Sequence, residues 1–403
     1  MKIFFYVYSL FFLFVVNAKE FRMKFFNSLL TKGDKATLSN LIDHDFLTTL
    51  CIGTPKQCFD IKINMTEYYS FIALKNESGY QFIPDQSETL MNMKKHKIFG
   101  SGRAMKNANL VQDFILFNQY NKFYYQFYFS RTEENSELGL STHTIEVAKD
   151  HSSFLDQLLN KQIISSSLMV LNYTSDNEGE IILDPSNEII DRVSIDLATE
   201  SNDYLSIKSP ITILKLKNSK SNWNYNYHQS MRINYRSSLI IANTNMVKSL
   251  LYELFEVYEK HGACSIQQNK EQSIWAICNP KIKEIIKNTL IISIDSNEIK
   301  VDLKDLFIPY YESVIFAIIG KEDELYFTVG DAFMKQFMIS IDQENFMIKL
   351  YPKKENETNT RSIMKYIKYI IVFLCFLGIL HLVSMYYIIN TKQHININSN
   401  TLI

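Results

Sequence analysis

The chain has 403 residues, with 42 Lys and Arg against 43 Asp and Glu and a formal net charge of -1. That length suits two ordinary domains over a sizeable core, because domains usually run ~100–200 residues. The charge balance leaves no broad basic field to recruit nucleic acid and no acidic excess to attract basic partners, so any ligand is selected locally.

Lys2 precedes an apolar run from Ile3 to Val16, which ends in the small-residue step Val16-Asn17-Ala18. This pattern predicts a cleavable secretory signal peptide over residues 1–18. Beyond it, the runs Phe59-Asp60-Ile61-Lys62-Ile63, Val193-Ser194-Ile195-Asp196-Leu197 and Ile299-Lys300-Val301-Asp302-Leu303 alternate as half-buried strands do, so the protein is expected to be mainly β. Two segments carry helical spacing instead: Ser153 to Lys161, and Val247 to Lys260, which Gly262 stops. Ile294-Asp295-Ser296-Asn297 reads as the turn of a hairpin between Leu290–Ile294 and Ile299–Leu303.

Residues 353–368, which open with the polar run Lys353 to Arg361, read as a stalk. Tyr369 to Ile389 contains no Asp, Glu, Lys or Arg and meets the ~20 residues that a membrane-spanning helix needs. Residues 390–403 then form a cytoplasmic tail. Arg361, Lys365 and Lys368 precede the span and only Lys392 follows it, against the usual positive-inside bias. The cleavable signal fixes the lumenal side first, so the expectation is a single-pass type I membrane protein of the secretory pathway with a lumenal or extracellular ectodomain. A buried core helix at either end is the alternative, and the length of the apolar runs argues against it.

Cysteine usage fits an oxidising compartment. Cys51 and Cys58 bracket the Gly53-Thr54-Pro55 turn, Cys264 and Cys278 are close in sequence, and Cys375 falls within the span, so disulfides Cys51–Cys58 and Cys264–Cys278 are expected. Sequons at Asn64, Asn76, Asn172 and Asn356 make the ectodomain a glycoprotein candidate. The eight His show no paired spacing for zinc, Gly100-Ser101-Gly102 is not a nucleophile elbow, and no phosphate-binding glycine loop occurs, so neither metal nor cofactor is expected.

From Phe46 to Pro352 the order of landmarks resembles the pepsin-like aspartic protease family, with plasmepsin-type enzymes nearest in texture. Phe46 to Pro55 looks like the family's first strand and Ile-Gly-Thr-Pro turn, followed by Gln57 and Phe59. Phe99-Gly100-Ser101-Gly102 stands where the family's flap has Tyr-Gly-Thr/Ser-Gly, and Glu137-Leu138-Gly139-Leu140 stands for its hydrophobic-Leu-Gly-Leu strand. Residues 154–173 have its helix, turn and strand, and Gly179 to Leu183 its next strand. Phe327 to Phe337, with Gly330-Asp331-Ala332-Phe333-Met334-Lys335 at its centre, is similar to the signature that ends the fold.

The resemblance implies a bilobal acid-protease fold, with an N-terminal lobe over residues 46–190 and a C-terminal lobe over 191–352. Residues 19–45 become a pro-like segment, short beside the family's inhibitory one. It also places the two catalytic aspartates at Asn64 and Asn234. The rival register, with Asp295 as the acid, lacks the following glycine.

In that family two carboxylates share one proton across a water. An amide has no proton to exchange near neutral pH, so Asn64 and Asn234 cannot serve as general acid or base. Met65 and Tyr235 stand where the family has hydroxyl residues that brace the two loops, and Thr66 and Arg236 replace glycines, a change expected to strain the loops. Arg236 offers either a positive charge for an acidic ligand group or, as the simpler reading, a partner for solvent or a local carboxylate. Met65, Thr66, Phe99, Gly100, Tyr235 and Arg236 thus mark the expected cleft. The resulting expectation is a pseudoprotease that binds a peptide or protein. The alternatives are an active aspartic endopeptidase with an atypical site and a structural or adhesive surface protein with a collapsed cleft.

Overall fold

The structure, a computed structural model, describes residues 20–28, 37–73, 75–76, 79–80, 82–101, 103–116, 122–130, 136–142, 152–190, 192–200, 203–219, 222–270, 272–353 and Gly378. The expected signal peptide lies outside these residues, as do the stalk, span and tail apart from Lys353 and Gly378. Among the described residues no helix is long and apolar enough to cross a membrane.

The protein is mainly β. Its first half holds β1 (Phe21–Asn27), α1 (Leu38–Ile42), β2 (Phe46–Ile52), β3 (Gln57–Asn64), β4 (Phe71–Ala73), β5 (Met91–Ser101), β6 (Arg103–Leu116), β7 (Lys122–Ser130), β8 (Glu137–Gly139), α2 (Phe154–Asn160), β9 (Met169–Tyr173) and β10 (Glu178–Leu183). The second half holds β11 (Ile195–Glu200), β12 (Asp203–Lys217), β13 (Ser230–Ile233), β14 (Ile240–Asn243), α3 (Thr244–Lys260), β15 (Cys264–Gln268), β16 (Ile274–Cys278), β17 (Thr289–Ile294), β18 (Asn297–Asp302), β19 (Phe327–Val329), α4 (Asp331–Met334), β20 (Phe337–Asp342) and β21 (Met347–Pro352).

Local sequence explains most of these elements. Period-2 alternation puts Phe21, Met23 and Phe25 of β1 in the core while Arg22 and Lys24 face out. Ser153 caps α2 by accepting from Asp156 N, and Asp156 returns the bond to Ser153 N, a reciprocal box that satisfies two donors the first turn leaves free. In α3, capped by Asn243, the residues Met246, Val247, Leu250, Leu251, Leu254 and Phe255 make one buried stripe. Fully burying such a side chain is worth about 1.5–3 kcal/mol, which is why this helix persists without strong capping at its far end. Asp295 adopts φ +51 in the turn between β17 and β18, which are paired from Thr289–Asp302 to Ile294–Asn297. That geometry makes Asp295 a hairpin residue, as its sequence context suggests.

The two disulfides form as expected, Cys51 with Cys58 and Cys264 with Cys278, each joining residues directly opposite one another on antiparallel strands. One reading needs correction. The strand expected from Val193 starts at Ile195, and Val193 is 92 % exposed, because the pairing with β21 begins only at Ile195–Leu350.

The halves meet in an antiparallel sheet of six strands in the order β1-β10-β9-β20-β21-β11. Three strands come from each half, and the seam between them is the pairing of Met169 to Asn172 with Met338 to Ile341. The segment read as pro-like therefore supplies an outer strand of this sheet, with β1 paired along its length to β10 and at its end to β2.

Candidate functional site

Each half contains one crossed loop of the same design. In the first, β8 runs between β3, to which it is parallel, and β4, to which it is antiparallel, so that Gly139 faces Asn64. In the second, β19 runs between β13, parallel, and β14, antiparallel, with Asn234 N donating to Val329 O. The two loops, Asn64 to Ser70 and Asn234 to Leu239, thus start at corresponding places at the ends of β3 and β13.

The correspondence extends to atoms. A Cβ on Gly139 would stand 2.5 Å from Glu67 O and 2.6 Å from Tyr69 O, and a Cβ on Gly330 would stand 2.1 Å from Ser237 O and 2.5 Å from Leu239 O. These carbonyls belong to the third and fifth residues after each asparagine. Each glycine is there because its loop lies directly on the threading strand. Each asparagine also folds its side chain back in the same way: Asn64 Oδ1 accepts from Thr66 N, and Asn234 Oδ1 accepts from Arg236 N, both at 3.1 Å. Such Asx turns let the asparagine satisfy the backbone of its own loop.

Four of the residues expected to line the cleft, Met65, Thr66, Tyr235 and Arg236, lie on these two loops. Met65 and Tyr235 are buried, Thr66 is exposed, and Asn64, Asn234 and Arg236 are half-buried. Tyr235 reaches from the second loop to the first. Its Oη accepts from Met65 N at 3.0 Å and donates to Asn64 Oδ1 at 3.0 Å. Burial pushes the Tyr235 hydroxyl above its ordinary pKa, offset in part by the bond from Met65 N, so at physiological pH it stays protonated and able to donate. One phenol thus braces the two loops against each other.

Tyr235→Phe is expected to cost about 1–3 kcal/mol, because Met65 N–H would be left buried without an acceptor; urea unfolding of the two proteins measures it.

One further expectation is corrected. Neither Thr66 nor Arg236 has a positive φ, so replacing glycine at these positions strains neither loop. Arg236 follows the simpler of its two readings and pairs with local carboxylates. Its Nη2 lies 3.1 Å from Asp43 Oδ1 and 3.6 Å from Asp45 Oδ1, and Lys62 Nζ lies 2.7 Å from Asp45 Oδ2. Phe99 and Gly100 fall near the end of β5, with Phe99 opposite Lys106 and Ser101 opposite Arg103 across the β5–β6 hairpin.

Sequence reasoning missed the segment that holds the second loop. Leu41 O accepts from Ser238 N at 2.8 Å, and His44 N donates to Arg236 O at 2.8 Å. Behind it, Asp331 is buried and accepts from Tyr173 Oη at 2.5 Å and from Asn27 Nδ2 at 3.1 Å. His44 Nε2 stands 3.0 Å from Asp331 Oδ2, off the line of a hydrogen bond. Burial and the neighbouring Asp331 hold the Tyr173 hydroxyl well above its usual pKa, so it too remains a donor. The run Asp43-His44-Asp45, three titratable residues just before a buried strand, was the available signal.

Among the described residues no group of three or more His, Cys, Asp or Glu is suited to hold a metal ion. What the loops offer chemically is hydrogen bonding by amides and a phenol, with no carboxylate at either asparagine position. No protein-family profile matches the sequence, and no curated protein matches it at a significant level.

Proposed function

We propose that the protein is a membrane-anchored homologue of pepsin-like aspartic proteases that has lost catalysis and acts by binding a peptide or protein in the cleft above the two asparagine loops. The observation that carries this reading is the pair of crossed loops with matching glycines and matching asparagine turns. Two equivalent loops joined to each other, as Tyr235 joins these, suit a two-residue catalytic centre, and here both positions hold amides. The sheet shared equally by the two halves supports a bilobal fold of this type. General acid–base assistance is worth ~10²–10⁴-fold, and groups that act as a unit lose nearly all of it together. The signal-like N-terminus and the apolar run Tyr369 to Ile389 support the anchored, type I arrangement.

The test is incubation of the purified full-length chain with a diverse quenched-fluorescent peptide library from acidic to neutral pH, beside an Asn64→Ala, Asn234→Ala variant. Equal background signal from both proteins is the expected result. Cleavage that disappears in the variant would establish chemistry at these positions and sink the pseudoprotease reading.

A further inference from the structure

The two amides are oriented by groups that can only donate. Thr66 N–H and Arg236 N–H are backbone donors, so the side-chain atoms facing them at 3.1 Å must be the oxygens of Asn64 and Asn234. Asn64 Oδ1 is used further, by Thr66 Oγ1 at 3.0 Å and by Tyr235 Oη at 3.0 Å. Its acceptor capacity is spent inside the protein. The amide nitrogens are left over: neither Asn64 Nδ2 nor Asn234 Nδ2 has a partner among the described residues, and neither is a buried orphan. Where the family's acids both accept and donate, each asparagine here has an unused N–H2 donor, and at Asn64 the acceptor is already taken.

Charge narrows the ligand. Among the described residues, Arg236 and Lys62, the cations at the loop bases, are matched in charge by Asp43 and Asp45, so although Arg236 Nε makes no hydrogen bond the loop bases carry no net positive charge to favour an anion. We infer that Asn64 Nδ2 and Asn234 Nδ2 bind the uncharged carbonyl oxygens of an extended peptide main chain. This rests on the peptide-binding reading above and specifies which ligand atoms the site takes. Because no group in the contact gains or loses a proton, binding is independent of pH between acidic and neutral conditions.

The test uses the full-length chain on an array of random dodecapeptides, N-acetylated and C-amidated so that no terminal charge is present, beside Asn64→Asp, Asn234→Asp and the double variant. Aspartate has the same shape and keeps an oxygen towards Thr66 N–H and Arg236 N–H, but it turns the outward donor into an acceptor. Thermal unfolding of each single variant selects those that retain the fold. The expected result is peptide retention by the wild type that is flat with pH, and a loss of about tenfold or more at neutral pH in the variants, with recovery as the carboxyl protonates towards its ordinary range near pH 4. Equal retention by wild type and a folded variant overturns the donor assignment while leaving peptide binding intact. Retention confined to peptides with Asp or Glu overturns the uncharged-carbonyl assignment. Absence of retention by every protein overturns the peptide-binding reading and this inference with it.

Discussion

Gly330→Ala is expected to destabilise the protein by about 3 kcal/mol or more, read as a lowered midpoint in urea unfolding at unchanged slope. The reason is contact, not backbone conformation. Gly330 has φ -111 and ψ -160, which any residue adopts, but its Cβ would stand 2.1 Å from Ser237 O and 2.5 Å from Leu239 O. Both are main-chain atoms of the second asparagine loop, so relief requires the loop itself to lift away from β19. Gly262 provides the contrast. It has φ +70, and a methyl added there would meet nothing within 4 Å, so Gly262→Ala should cost only the conformational penalty, about 1 kcal/mol. Similar costs at the two sites would show that the crossed loop is loose enough to give way, and that the asparagine geometry is not fixed by its threading strand.

Asp331→Ala is expected to cost about 3–5 kcal/mol, because it strips the acceptor from two buried donors, Tyr173 Oη and Asn27 Nδ2, at once. Tyr173 Oη, Asn27 Nδ2 and the wholly buried His44 side chain all converge on this carboxylate. Tyr173→Phe removes one donor and leaves the others in place, so about 1.5–3 kcal/mol is expected. The cluster ties β1 and the Asp43–Asp45 run to the start of α4, whose Asp331 N donates to Ser237 O. A loss confined to stability would leave the asparagine loops in register. Urea unfolding followed by tryptophan fluorescence measures the first quantity; a cost under about 1 kcal/mol for Asp331→Ala would show that the cluster is hydrated or rearranges.

Those interactions also mark where reading the sequence stops. Alternation, caps and turn residues are local, so β3, β18, α2, α3 and the Asp295 turn could be read directly, and each cysteine pair followed from short spacing. The Gly53-Thr54-Pro55 turn and the strand after it located Asn64, and the motif around Gly330 located Asn234. The reach of Tyr235 from one loop to the other was not legible, because a phenol at that position says nothing of which chain segment lies opposite. The pairing of Arg236 with Asp43 and Asp45 depends on α1 being laid against the second loop, a placement made by tertiary packing rather than by the residues of α1. The opposite error, at Val193, has the same origin. Its alternation continues beyond the point at which a partner strand exists to pair with it.

The six-stranded sheet also governs when the molecule can be finished. Its strands come from both ends of the described chain, since β1 pairs with β10, β9 with β20, and β21 lies between β20 and β11. During synthesis the first half cannot complete its side of the seam until Met338 to Ile341 have emerged, and β11 waits still longer for Met347 to Leu350. Contacts of such sequence separation must close long loops before they return any stabilisation, which slows folding. The halves of this protein share the crossed-loop design but are not independent in time: the earlier one is held incomplete, with the edge of β9 open, until the later one arrives.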